Sequence, residues 1–94
     1  MILLHIEHPV TNFEGWKAAF DGDPVGRQKS GVRRYRIARP VDNQNYTIID
    51  LEFDTRDQAE ALLNAMQQVW KRVDGSLIND PQWRISEVIE TRTY

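Results

Sequence analysis

Tyr46-Thr47-Ile48-Ile49-Asp50-Leu51-Glu52-Phe53 is the stretch of this 94-residue chain on which the fold turns. Successive side chains of a strand point to opposite faces, so Ile49, Leu51 and Phe53 form one apolar face, while Tyr46, Ile48, Asp50 and Glu52 share the other. The preceding Pro40-Val41-Asp42-Asn43-Gln44-Asn45 carries turn chemistry, and Val32 to Arg39 before it mixes β-branched and aromatic residues with long arginines. Together these predict a hairpin. Farther toward the N-terminus, Ile2, Leu4 and Ile6 alternate with Leu3, His5 and Glu7, which predicts a first strand over residues 2–8. Between that strand and the hairpin, Phe13, Trp16 and Phe20 recur at helical spacing behind the N-cap candidates Thr11 and Asn12, and Asp21-Gly22-Asp23-Pro24 ends the helix. On the other side, Thr55 caps a longer helix whose Ala59, Leu62, Leu63, Met66, Val69, Trp70 and Val73 fall on one stripe. Gly75 and Pro81 mark its exit, and Arg84 to Thr91 alternates as the last strand.

The order β-α-β-β-α-β belongs to the α+β class: a ferredoxin-like plait, a four-stranded antiparallel sheet in the order 4-1-3-2 with both helices on one face. If Ile2, Leu4, Ile6, Ile49, Leu51 and Phe53 meet the helices, the other face shows Leu3, His5, Val32, Ala38, Tyr46, Ile48 and Val88. Interleaved with them are Glu7, Arg34, Arg36, Asp50, Glu52 and Ser86. That face is too apolar to be left wet and too charged for an ordinary core. A second sheet would cover it.

Composition narrows the class. The length fits one domain over residues 1–94. Twelve basic against fourteen acidic residues, a net charge of -2, is the wrong balance for a phosphate-driven nucleic-acid binder. Tyr46 to Phe53 also places carboxylates where an RNA-recognition module carries stacking rings. With no cysteine there is no disulfide or thiolate site, and a reducing cytoplasm is the expected compartment. No apolar run reaches the roughly 18 residues of a membrane span, and Met1 to His8 does not read as a signal peptide. No cofactor motif is present, and none is expected.

The whole-chain element order resembles the dimeric α+β barrel superfamily, whose antibiotic-biosynthesis-monooxygenase-like members are single ferredoxin-like domains. Phe13-Glu14-Gly15-Trp16-Lys17-Ala18-Ala19-Phe20 after a short His-containing strand, and a long helix ending in Val69-Trp70, carry the resemblance further. It implies a homodimer that packs sheet against sheet, with a pocket between sheet and helices or inside the barrel. It also implies activities ranging from cofactor-independent oxidation of polycyclic aromatics to haem degradation and isomerisation of small rings. The haem-degrading branch combines a first-strand Asn with a later Trp and His; here Trp70 is the one match and no histidine follows residue 8.

The expected function is a homodimer with a pocket for a hydrophobic or aromatic metabolite, of the cofactor-independent monooxygenase or isomerase type. His5, Tyr46 and Asp50 are the candidates for proton handling and polar anchoring. Trp16, Phe20 and Trp70 are the candidates for the apolar wall, although Trp70 also completes its helix's stripe as ordinary core. Arg34 and Arg36 complete the ligand-binding set, and cross-strand pairing with Asp50 or Glu52 is their structural role. No metal site is expected, because His5 and His8, three apart on a strand, point to opposite faces. His8, before Pro9 at the strand end, is expected to be exposed. The alternative is a non-catalytic homodimeric binding or stress-associated module whose charged inner face secures the dimer register. An enclosed cavity of a few hundred Å³ beside His5 or Asp50 would favour the first reading, and a face filled by arginine-carboxylate pairs the second.

Overall fold

The computed structural model describes residues 1–73 and 78–94, leaving aside the side chain at position 73. The elements are β1 (Ile2–Pro9), α1 (Phe13–Asp21), β2 (Arg34–Ala38), β3 (Tyr46–Phe53), α2 (Arg56–Val73) and β4 (Gln82–Glu87). The sheet runs β2-β3-β1-β4 with every neighbouring pair antiparallel, which is the order 4-1-3-2 read from its other edge. The ferredoxin-like plait is the fold of this chain. Gly75, expected to mark the helix exit, and the Val73 side chain on the expected stripe lie outside the described residues. Neither described helix is long and apolar enough to cross a membrane.

Local chemistry explains the helix starts. Asn12 Oδ1 accepts the backbone N–H of Gly15 at 2.8 Å. Thr55 and Gln58 cap each other: Thr55 Oγ1 accepts the Gln58 N–H, and Gln58 Oε1 accepts the Thr55 N–H, both at 3.2 Å. This reciprocal pair satisfies two backbone donors that no helix could satisfy internally. The apolar series then packs as the alternation requires. Leu4, Ile6, Ile49, Leu51 and Phe53 are buried beneath Trp16 and Phe20 of α1 and Ala59, Leu62 and Leu63 of α2.

Three expectations are corrected. Val32 does not join the open face: β2 begins only at Arg34, and Val32 is buried in the helix-side core. Gly31 at φ +104° redirects the chain there, a conformation that glycine tolerates and other residues resist. The last strand spans Gln82–Glu87, not Arg84 to Thr91, because its partner runs out. Ile2 opposes Glu87, the Val88 N–H donates to the Met1 carbonyl at 2.9 Å, and no further residue of β1 remains to pair with. His8 is 1% exposed rather than solvent-facing. It continues the series Ile2, Leu4, Ile6, and Pro9 still belongs to β1, so the strand carries His8 under the helix layer.

The sheet's open face stays bare in the isolated chain. The accessible surface is 6444 Å², against about 5,600 Å² for a compact monomer of this mass. The excess matches an uncovered sheet face and an extended C-terminal segment in which Ile89 and Tyr94 are almost fully exposed.

Candidate functional site

The sheet separates two sites. On the helix side, a cavity of about 110 Å³ lies between the sheet and both helices. Its lining includes Trp16, Phe20, Ile49, Leu51, Leu62, Met66 and Trp70, so all three residues expected to form an apolar wall meet in one place. Trp16 and Phe20 lie with ring centroids 5.2 Å apart, and Trp70 rests on Trp83 at 5.7 Å. These contacts fix the rings by aromatic packing on both sides of the space.

The cavity-lining polar residues Arg27, His8 and Asp23 were not expected at the site from the sequence. Arg27, in the α1–β2 connection, donates from Nη1 to the Phe20 carbonyl at 2.7 Å and sits 3.8 Å above the centre of the Phe20 ring. Its own N–H donates to Asp23 Oδ1 at 2.9 Å, so the loop is tied across that end of α1. His8 is the second. Its Nδ1 lies 3.0 Å from the Pro9 carbonyl and its ring stands edge-on to Trp16 at 6.0 Å. Burial pulls the imidazole below its ordinary 6.5, with the Pro9 carbonyl opposing only in part. Opposite His8 on β3, Thr47 is wholly buried and its hydroxyl has no partner among the described residues. An unsatisfied buried group of that kind costs about 1–3 kcal/mol.

The open face holds the other set. His5 Nδ1 lies 2.8 Å from Asp50 Oδ1 and its Nε2 lies 2.6 Å from Glu7 Oε2. Ionised carboxylates only accept, so this geometry favours the His5 form that carries a proton on each ring nitrogen. Burial works against that charge, but the hydrogen bonds and charges of Glu7 and Asp50 outweigh it and raise His5 above its ordinary 6.5. Tyr46 donates to Glu7 Oε1 at 2.6 Å. Through Glu7, which was not expected as a site residue, the structure therefore joins His5, Tyr46 and Asp50 into one network. The hydrogen bonds from His5 and then Tyr46 hold Glu7 below the usual carboxylate range, and the same bond raises Tyr46.

Arg34 pairs with Glu52 at 2.5 Å and Arg36 with Asp50 at 3.3 Å, each directly across the β2–β3 ladder. The expected cross-strand pairing is what the register produces. Arg84 lies across from His5 and adds to the field on Glu7. Three carboxylates thus meet their cations on one face, with Leu3 and Ile48 half-buried among them. Neither His5 nor Asp50 lines the cavity on the helix side. Among the described residues no three His, Asp or Glu side chains converge as a metal-binding group.

No protein-family model matches the sequence, and no curated protein matches it. Solved structures do match in shape. A Nitrosomonas europaea protein assigned to the antibiotic biosynthesis monooxygenases superposes with a TM-score of 0.74 at 17% identity, over 96% of this chain and 100% of its own. SnoaB, a cofactor-independent oxygenase from Streptomyces nogalater, gives 0.76 at 13% identity over 96% and 94%. A dimeric ferredoxin-like protein from an uncultured marine organism gives 0.71 at 11% identity over the whole of both chains. Likeness at such identities concerns shape and not chemistry. The chain therefore has the fold of the antibiotic-biosynthesis-monooxygenase-like and dimeric ferredoxin-like proteins, from one end of the described sheet to the other.

Proposed function

We propose that this chain works as a homodimer, packed sheet to sheet, in which each protomer holds a small hydrophobic or aromatic molecule in the cavity between its sheet and helices. The observation that carries the reading is the cavity itself, walled by Trp16, Phe20 and Trp70 and offering few polar groups. Sites for small molecules have this character: concave, mainly apolar, with a few placed polar atoms. Dimerisation is supported by the open face, where ion pairs balance one another around Leu3 and Ile48. The dimeric ferredoxin-like protein of the same fold supports it as well.

Of the two kinds of function, binding without turnover is favoured by a specific observation. His5, Tyr46 and Asp50, the candidates for proton transfer, are tied to one another on the far side of the sheet from the cavity. There they serve as a lock on dimer register, together with Arg34 and Arg36. Cofactor-independent oxidation, the activity named for SnoaB, is the rival reading and would need its proton transfers from the cavity side.

An NMR titration with toluene tests the ligand site. The indole N–H signals of Trp16 and Trp70 should shift together and saturate, while the amides of Arg34 and Asp50 on the other face stay in place. Indole signals that do not move up to the aqueous solubility of toluene would overturn the proposal.

A further inference from the structure

His8 lines the cavity with one of its two ring nitrogens lacking a partner among the described residues. Its Nδ1 faces a backbone carbonyl at 3.0 Å. A carbonyl has no proton to give, so Nδ1 carries the hydrogen and Nε2 keeps its lone pair. Burial disfavours protonation of the ring, which keeps that lone pair free. Among the described residues nothing donates to Nε2, although His8 is 1% exposed and lines the cavity. Thr47, its cross-strand neighbour on the same side of the sheet, is also fully buried with an unpartnered hydroxyl. Buried polar atoms nearly always have partners. An imidazole nitrogen with no donor among the described residues, on a residue that lines a mainly apolar space, marks the position of a donor that belongs to a ligand.

We infer that the cavity takes a single aromatic ring bearing a hydroxyl, and that the phenolic O–H donates to Nε2 of His8. This rests on the cavity reading above and gives it a chemical class. Size sets the ring count. A cavity of about 150 Å³ in another protein holds one benzene, so about 110 Å³ here suits one ring and not a fused polycycle. Charge sets the protonation state of the ligand. Arg27, the cation at the cavity, is engaged with the Phe20 carbonyl and paired with Asp23, so a neutral phenol fits better than a phenolate. His8 thereby becomes a binding and specificity residue, since a ring without a donor leaves Nε2 unpaired.

The test is a calorimetric titration of the full chain and of His8→Leu and His8→Gln variants with phenol and with toluene, which have nearly the same shape. Wild type should bind phenol at least as tightly as toluene, despite the stronger hydration of phenol. His8→Leu should shift the phenol-to-toluene affinity ratio against phenol by about tenfold, the worth of one hydrogen bond. His8→Gln, whose side-chain oxygen restores an acceptor, should keep most of the wild-type ratio. A ratio unchanged in His8→Leu, while toluene still binds, would overturn the inference and leave the cavity reading intact. Failure of both probes to bind the wild type would overturn both. Should His8→Leu fail to fold, the wild-type ratio decides: phenol binding tenfold more weakly than toluene would sink the role assigned to His8.

Discussion

On the open face of the sheet His5 is held between two carboxylates; on the helix side His8, three residues along the same strand, meets one backbone carbonyl and the edge of an indole. The first is held toward its charged form and the second toward its neutral form. Nothing in the two side chains themselves differs. The face of the strand decides, because alternation sends one ring into a charged lattice and the other under Trp16. The lesson extends to the whole sheet, whose helix side holds a mainly apolar cavity and whose open side holds a balanced array of charges, the two features on which the proposed ligand site and dimer rest.

The largest way to break the comparison lies in the helix-side core. Leu63 of α2 is 8% exposed and belongs to the core between helix and sheet. Its truncation to Ala should cost about 2–5 kcal/mol in a denaturant melt. A loss below that range would mean that α2 is rotated relative to the sheet. On the open face the effect should be smaller. Asp50→Asn removes a charge shared by His5 and Arg36, and should cost about 1.5–3 kcal/mol, the range for hydrogen bonds to charged groups. Part of that loss should appear as weaker dimerisation. If Asp50→Asn instead leaves both stability and dimer affinity unchanged, the register lock is wrong.

The two histidines should also give stability curves of opposite slope. His5 is raised on folding, so its contribution is complete below its ordinary 6.5 and is lost as pH rises through the folded value. His8 is lowered, so folding excludes its proton, and stability falls as pH drops below 6.5. Glu7 is lowered as well, and its contribution is present above 4.5 and lost as pH falls through its folded value. Between about pH 5 and 8, the stability difference between wild type and His5→Gln should shrink as pH rises. The difference between wild type and His8→Gln should move the other way. Parallel curves would contradict the assignment of opposite charge states. The smallest effect is expected at the exposed pair Arg33 and Asp54, where both side chains are at least half exposed. Arg33→Ala should melt with wild type, because such pairs are screened by water and salt.

Much of this contrast was legible in the residues. Period-two runs at Ile2 to Glu7 and Tyr46 to Phe53, the stripe from Ala59 to Trp70, and the caps Asn12 and Thr55 carry the plait and its strand order, because each depends on local spacing. The pairing of Arg34 with Glu52 and Arg36 with Asp50 follows from register alone. Boundaries set by a neighbour were not legible. The end of β4 depends on where β1 begins, and the burial of Val32 depends on the turn at Gly31. His8 was readable in principle as the fourth member of Ile2, Leu4 and Ile6, but Pro9 suggested a strand end where the ladder in fact continues to Tyr46. The position of Arg27 over Phe20 arises from an irregular connection, for which periodicity carries no signal.

The central claim is that the sheet's two faces do separate work, one binding a ligand and the other a second copy of the chain. Sedimentation equilibrium at tens of micromolar, with and without saturating phenol, tests it most directly. The account predicts a particle of twice the 11.0 kDa chain mass in both conditions. A particle of 11.0 kDa, or a dimer that phenol dissociates, would contradict it.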